Sequence, residues 1–402
     1  MEKMQHALIA GGGIAGPVVA LALARAGIRS TIYESYPAPA DGIGASLMVS
    51  PNGLEALKIV GVDAALRAVS QPIVHMAMAD GRGKVLTRFD GLEGMQPSRV
   101  VYRTDLYRVL RDAVAEANIP VVHGKRLVGA SETADGIRAS FEDGSHANGD
   151  ILIGADGIRS TVRGLIDPGA PAPRYAGTLG FGALVPLDTL RIPVDTMTFV
   201  FGRHAFLGYW AHPDRGICWF GNLPYATPAS MEAVREIPSA QWLTQLRELY
   251  GDDYPAQTLL RNTDPDQLFA PIASEMMPPV PRWYSNRMVL VGDAVHAPSS
   301  SSGQGASLAI ESAVQLARCL RDIQAPALAF ARYEQLRRGR VETITAAAAR
   351  TNTQKAQGPL GKALMHFVMP IALKTVFNPA KRLASDHAYR IDWDASALPA
   401  PR

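Results

Sequence analysis

The sequence predicts an α/β protein in which a parallel-sheet, dinucleotide-binding domain is interrupted by an antiparallel β-sheet domain and followed by helices. Three observations carry this. A glycine-rich turn, Gly11-x-Gly13-x-x-Gly16, joins a strand to a helix near the start; short aromatic-rich strands fill the middle; a strand, a Gly/Ser-rich turn and a long helix return after residue 288. At 402 residues the chain exceeds one ordinary core, so two domains sharing an interface, with room between them for a buried site, are expected.

His6 to Ala10 reads as a buried strand, Pro17 to Ala26 as a helix ended by Gly27, and Ser30 to Tyr33 as a second strand. Such a unit places its two strands parallel in one sheet. Ser50 caps a helix with Pro51 in its first position, and another helix starting at Thr104 carries Leu106, Val109, Leu110 and Val114 on one face. Ile73 to Phe89 reads as a hairpin around Asp80 to Gly83. The antiparallel strands are expected at Thr178 to Leu187, Thr196 to Phe201, Ala205 to Ala211 and Ile217 to Asn222. Met288 to Val291 is a strand of the first domain, and a helix runs from about Ala306 to Leu320. Ala327 to Val376 is largely helical, broken near Gly358, Pro359 and Pro370, with the apolar Pro359 to Phe377 stretch expected to cover the substrate site. Residues 1–72, 98–172 and 270–345 thus form a discontinuous cofactor domain, 73–97 and 173–269 the substrate domain, and 346–402 a C-terminal helical segment.

With 47% hydrophobic and 19% charged residues, the whole chain should fold. Forty basic residues against 37 acidic ones, net +3, argue against a nucleic-acid or anionic-membrane surface. The two cysteines, Cys218 and Cys319, form neither a CxxC pair nor a disulfide framework, which fits a reducing cytoplasmic home. The apolar stretch Ala7 to Ala24 is too interrupted by Gly11, Gly12, Gly13, Gly16 and Pro17 to span a membrane, so no stable membrane association is expected. The histidines show no HExxH or paired spacing for a metal, and there is no GxSxG elbow.

Three stretches carry chemistry. In the first, Gly11 permits the tight turn, Gly13 lets a pyrophosphate approach the backbone at Ile14 and Ala15, and Gly16 lets helix and strand pack closely; Glu34, ending the second strand, can accept hydrogen bonds from an adenosine ribose. The second, Asp156-Gly157 after the apolar strand Ile151 to Ile153, is cofactor-site chemistry if it lies beside the first loop, and otherwise a strand-to-helix turn with a capping Asp. In the third, Asp293 after Gly292 can hold a sugar-like hydroxyl, and the turn Gly303-Gln304-Gly305-Ala306 presents backbone N–H groups to a developing negative charge such as that on a reduced flavin.

Taken in this order, the three stretches resemble the class A flavoprotein monooxygenases, the p-hydroxybenzoate hydroxylase family, over most of the chain. The resemblance implies a Rossmann-like FAD-binding domain whose first loop holds the ADP part of FAD, an Asp-Gly stretch serving FAD and NAD(P)H, and a Gly-Asp stretch holding the ribityl chain. It also implies that Arg103 contacts FAD. Two positions depart from the family: Ser300 stands where a proline is common near the flavin, and Ser307 where an asparagine is usual.

That resemblance implies NAD(P)H as the reductant of FAD, O2 as co-substrate and a flavin C4a-hydroperoxide that hydroxylates or epoxidises an aromatic or polyketide-like small molecule. The protein positions the substrate and excludes water. Phe181, Phe201, Tyr209, Trp210, Trp219 and Phe220 are available to the pocket, half of them on each face of the sheet. His212 and Tyr209 are the candidate bases for ionising a phenol. A flavin-dependent reductase or oxidase without oxygen insertion, or an NAD-dependent dehydrogenase lacking flavin, would share the first loop. The chain is expected to work as a monomer or homodimer.

Overall fold

The stretch from Ala7 to Ala10 is buried on both faces, which is why it reads as an unbroken apolar run and forms the centre of a parallel sheet. The computed structural model describes residues 6–39, 46–133, 135–202, 205–226, 230–269, 271–355 and 384–398. In it β1 (His6–Ala10) lies between β2 (Arg29–Tyr33) and β12 (Ile151–Gly154), with β8 (Val121–Val122) beyond β2 and β18 (Met288–Leu290) beyond β12, all parallel. Helix α1 (Ala15–Arg25) packs on α10 (Gly305–Asp322), and α4 (Arg103–Glu116) lies beside α1. The chain leaves β1 towards β2 on one side and reaches β12 on the other. The carboxyl ends of β1 and β12 therefore form a topological switch point, where open α/β sheets bind ligands.

Two small sheets flank this core: β3 (Ser46–Val49), β7 (Ser98–Tyr102) and β4 (Gln71–Ile73) in one, and β9 (Leu127–Glu132), β10 (Ile137–Phe141) and β11 (His146–Gly149) in the other. Helices α2 (Pro51–Ile59) and α3 (Asp63–Ala68) lie between β3 and β4 in sequence; α5 (Thr161–Ile166) follows β12.

The second domain is a seven-stranded sheet. Its order is β17 (Ile272–Met276), β13 (Arg174–Val185), β16 (Gly216–Pro224), β15 (Phe206–His212), β14 (Thr196–Phe201), β5 (His75–Asp80) and β6 (Val85–Asp90), antiparallel except for β14 with β5. One face is covered by α6 (Met231–Glu236), α7 (Ser239–Tyr250) and α8 (Ala256–Arg261), which bury Phe181, Trp219 and Trp242 in a dry core. The other face meets the first domain, where Met197, Trp210 and Cys218 pack on Ile73 and Val100.

The sequence reading needs three corrections here. Residues 272–276 form the edge strand of the antiparallel sheet, not part of the cofactor domain, because β17 pairs with β13. The domain boundary placed at 345 cuts helix α11 (Pro326–Lys355), which runs on through that residue. The helices α6 to α8 and the β9–β11 sheet were not foreseen. The stretch Pro359 to Phe377 lies outside the described residues. The chain returns at 384–398 to the first domain, where Arg25 and Arg321 stack on Trp393 and Arg318 donates to the carbonyls of Ala395 and Ser396. Among the described residues no helix is long and apolar enough to cross a membrane.

Candidate cofactor and substrate site

The three loops singled out by sequence converge at the switch point. Gly11 has φ +102°, a conformation that L side chains rarely adopt, and its N–H donates to Tyr33 O at 2.8 Å. A Cβ at Gly11 would lie 2.4 Å from Ala155 O and 3.0 Å from Asp156 Cα, so the second loop rests directly on the first. A Cβ at Gly292 would lie 3.0 Å from Ala15 Cβ and 3.2 Å from Ala309 Cβ, so the third loop packs against the starts of α1 and α10.

Glu34 is 9% exposed and accepts hydrogen bonds from the N–H of Gly12 at 2.7 Å and of Tyr36 at 2.8 Å. Its carboxylate thereby closes the side of the turn on which a ribose would lie. A Cβ at Gly13, by contrast, would meet nothing within 4 Å, leaving open space at the positive end of α1.

Asp156 does what a capping Asp does. Its carboxylate accepts from Ser160 Oγ (2.5 Å) and from the N–H groups of Thr161 (2.8 Å) and Val162 (3.1 Å) at the start of α5, and burial pushes its pKa up. Its carboxylate thus holds the loop in shape, and the main chain around Gly157, where an added Cβ would meet nothing within 4 Å, is also open to a cofactor. Arg163, which has no role assigned from sequence, ties this loop to the third: it is 5% exposed and donates to Ala294 O (2.9 Å) and Ile158 O (2.8 Å). Its place six residues after Gly157, in the first turn of α5, was the available signal.

Asp293 opens α9 (Asp293–His296) and is solvent-accessible, yet burial raises its pKa and the charge of Arg103 partly offsets the rise. The carboxylate is exposed to solvent in the structure, with protein packed around its base. Arg103 at the start of α4 lies close enough to act on its charge, which brings together two residues far apart in sequence. In the turn before α10, Gln304 is buried and its side chain is engaged: Asn52 Nδ2 donates to its Oε1 and its Nε2 donates to Ser50 Oγ, both at 3.0 Å. Gly303, Gly305 and Ala306 remain partly accessible, so this loop offers backbone to a ligand rather than the glutamine side chain.

These residues fit FAD. Glu34 suits the adenosine ribose, the open space beside Gly13 the pyrophosphate, Asp293 the ribityl hydroxyls and the α10 terminus the pyrimidine edge.

The two candidate bases separate. Tyr209 lies on the helix-covered face of the second sheet, near Thr198 and Tyr254, and is set aside as a base for the substrate. His212 lies on the face turned to the first domain, with Tyr102 and Trp210 rings at 6.4 and 6.0 Å. Its Nδ1 accepts from the Asp214 N–H at 3.1 Å, which assigns the proton to Nε2. Burial and then Arg215 lower its pKa, which keeps the imidazole neutral, and with Nδ1 occupied its remaining polar atom is the Nε2–H donor. Tyr102, given no role in the sequence although it precedes Arg103, is also a neutral donor: burial pushes its phenol up to about 12 against the opposing charge of Arg215, whose guanidinium lies 4.3 Å from its ring centroid.

Beyond Trp210 and Cys218 the same sheet face carries Phe199, Phe201, Phe206 and Phe220, each only half-buried. Phe269 adds a fifth ring against Gly182, directly opposite Phe220 in register. Among the described residues no cluster of side chains could hold a metal ion.

A dinucleotide turn, a carboxylate with an arginine beside it, and a half-exposed aromatic face in a second domain are the features a flavoprotein would need. The family model described as "FAD binding domain" matches residues 4–348. The aurachin C monooxygenase/isomerase of Stigmatella aurantiaca is 32% identical over 349 residues, covering 85% of this chain and 88% of that one. The FAD-dependent urate hydroxylase of Klebsiella pneumoniae is 31% identical over 344 residues, covering 84% and 87%. The crystal structure of Klebsiella pneumoniae HpxO with FAD and uric acid superimposes with a TM-score of 0.83 at 25% identity, covering 96% of each chain. The chain belongs to this family of FAD-dependent, p-hydroxybenzoate hydroxylase-like monooxygenases.

Close behind the third loop, His296 is 3% exposed, its Nε2 lies 2.9 Å from Ser312 Oγ, and burial and the Arg337 charge lower its pKa to about 3. His387, 5% exposed, is lowered to about 4 by burial and by Arg340 and Arg390. Both stay neutral in the fold, while in the unfolded chain they bind a proton below about pH 6.5. Stability should therefore be highest above that pH and fall towards pH 4, each histidine costing up to ~1.4 kcal/mol per pH unit. The thermal midpoint is expected to drop between pH 7 and 5, less steeply in His296→Gln; parallel slopes would refute the assignment.

Proposed function

We propose that the protein uses NAD(P)H and O2 to place one oxygen atom on an apolar aromatic or polyketide-like small molecule held between the flavin and the phenylalanine face of the second sheet. The observation that carries this reading is that face. Phe199, Phe201, Phe206 and Phe220 remain half-buried although they belong to a sheet whose opposite face is sealed by its own helices, and such an unsealed aromatic wall suits a flat apolar substrate. The relatives' own substrates, urate and aurachin C by name, and 6-hydroxynicotinate and 3-hydroxybenzoate further out, support the ring character.

Bound FAD supplies the redox and oxygen chemistry. The chain supplies the rest: the wall excludes water and orients the ring, Tyr102 and His212 offer neutral hydrogen-bond donors at its edge, and Asp293 with Arg103 fixes the cofactor beneath it. A phenolic substrate would gain orientation from such donors rather than ionisation. His212→Ala is accordingly expected to raise KM several-fold while the pH dependence of kcat keeps its shape; loss of a titrating limb would restore His212 as a base.

The test is NAD(P)H oxidation by the yellow holoenzyme with and without a panel of phenolic and polyketide compounds, with mass analysis of products. A compound that accelerates oxidation and gains one oxygen atom bears the reading out. Acceleration with only hydrogen peroxide released identifies an oxidase or reductase instead.

A further inference from the structure

Behind the α10 terminus lies a buried ionic cluster that none of the roles above uses. Glu311 is 0% exposed and is paired with two arginines of α11: Arg337, itself 0% exposed, at 2.5 Å, and Arg340 at 2.9 Å. It also accepts from Asn52 Nδ2 at 2.5 Å. The same Asn52 nitrogen donates to Gln304 Oε1, and the other end of the Gln304 amide donates to Ser50 Oγ, while the Ser50 N–H donates to Ser307 Oγ at 3.0 Å. Arg337 reaches further into the helix start, with Nε on Ser312 Oγ at 3.2 Å and Nη2 towards Leu308 O at 3.4 Å. Tyr389, in the returning C-terminal segment, lies under both guanidinium groups, and Arg340 donates to Asp386 O at 2.6 Å.

Burying three charges is costly unless geometry repays it. If all that α10 and α11 needed were to pack together, apolar side chains would serve better. What the cluster does achieve is definite. Through Asn52 it holds the Oε1 end of the Gln304 amide, whose Nε2 end is held by Ser50, in the turn whose neighbours Gly303, Gly305 and Ala306 stay accessible, and its own three side chains sum to one positive charge beside an 18-residue helix.

We propose that Glu311, Arg337 and Arg340 form a positioning unit for the flavin: through Asn52 and Gln304 they hold the α10 amides in register with its pyrimidine edge, and their surplus positive charge favours an anionic flavin ring. This rests on the assignment of the 303–306 turn to that edge.

Sulfite is the probe. It adds its sulfur to flavin N5, and the electron pair displaced moves onto the pyrimidine ring as a negative charge, so its Kd reads the positive field there without substrate or NAD(P)H. Asn52→Ala, which cuts the relay while leaving the charges, is expected to weaken sulfite binding several-fold by freeing the Gln304 amide, and Arg340→Met, at a partly exposed arginine, to weaken it about tenfold, the order for losing one unit charge roughly 10 Å away in protein. Arg340→Lys should recover most of that loss. Sulfite Kd within twofold of wild type in both Asn52→Ala and Arg340→Met overturns the proposal. Gly303→Ala separates it from its premise: Gly303 has φ +61° and an added Cβ would lie 3.0 Å from Met48 Cε, so the turn itself is disturbed. If only Gly303→Ala shifts sulfite affinity, the positioning unit is refuted and the turn's assignment stands; if it too shifts nothing, the assignment falls as well. A variant purified without flavin is scored by FAD affinity against the apoprotein's thermal midpoint. Lost affinity at an unchanged midpoint supports the proposal, and lost affinity with a collapsed midpoint counts against it.

Discussion

Gly16→Ala should give a folded, colourless protein. A Cβ at Gly16 would lie 2.0 Å from the carbonyl oxygen of Gly11 and 3.4 Å from Ile9 Cγ2, and the first of these is backbone in the turn itself. Relief requires α1 to back away from β1, which removes its terminal N–H groups from the pyrophosphate. Hydrogen bonds to a charged group contribute about 1.5–3 kcal/mol each, so losing one or two should weaken FAD binding roughly a hundredfold or more. The fold has reason to survive, since alanine is the better helix former and α1 remains packed on α10. Gly13→Ala is the informative companion. Nothing lies within 4 Å of its added Cβ, so the apoprotein should melt as wild type does while FAD affinity falls, because the methyl group occupies the space read here as the pyrophosphate's. The flavin-to-protein absorbance ratio and a FAD titration of the apoprotein measure both. Wild-type affinity in Gly13→Ala would place the pyrophosphate elsewhere.

The contrast between those glycines shows what a sequence can and cannot carry. Their spacing is local, and the demands of a tight turn and a close helix approach are local too, so the cofactor loop is legible without a structure. The strand before Asp293 and the helix after Gly305 are equally local signals. Tyr209 and His212 are different. Both lie on one strand, and alternation says only that they face opposite ways; which face is sealed depends on α6 to α8, whose contacts form across the fold. The strand Ile272–Met276 has little alternation of its own, with exposed Ile272 and partly buried neighbours, and is a strand because β13 offers it an edge. The cluster around Glu311 left no local trace at all, since Asn52, Gln304 and Arg337 meet only once α2, α10 and α11 are assembled. Asp156 shows the converse: its capping role was written in the Ser160-Thr161 that follows, and the structure uses it so.

The adjacent pair Trp219 and Phe220 converts this division of faces into an experiment. Trp219 is 0% exposed in the core beneath α7 and α8, and its Nε1 donates to Thr263 Oγ1 at 2.9 Å. Trp219→Ala removes a large ring from a sealed core and leaves a threonine without its donor, a loss of about 3–5 kcal/mol that should melt the second domain well below the wild-type midpoint. Phe220 is its neighbour in sequence but lies on the other face, over Gly208, where a Cβ would come within 2.7 Å of three of its ring atoms. Phe220→Ala should leave FAD content and the thermal midpoint close to wild type. If its ring forms part of the substrate wall, it forfeits about 1.5–3 kcal/mol of apolar contact, a 10- to 100-fold rise in KM for whichever aromatic compound stimulates NAD(P)H oxidation. Looser closure over the flavin should also release more hydrogen peroxide per NAD(P)H consumed, since water then reaches a site the ring had kept dry. The two variants differ by one position, so a general weakness of the strand would affect both alike. Opposite outcomes, one variant failing in stability and the other in substrate affinity, would locate the chamber on the Phe220 face; a Phe220→Ala enzyme with unchanged KM and coupling would move it off that face.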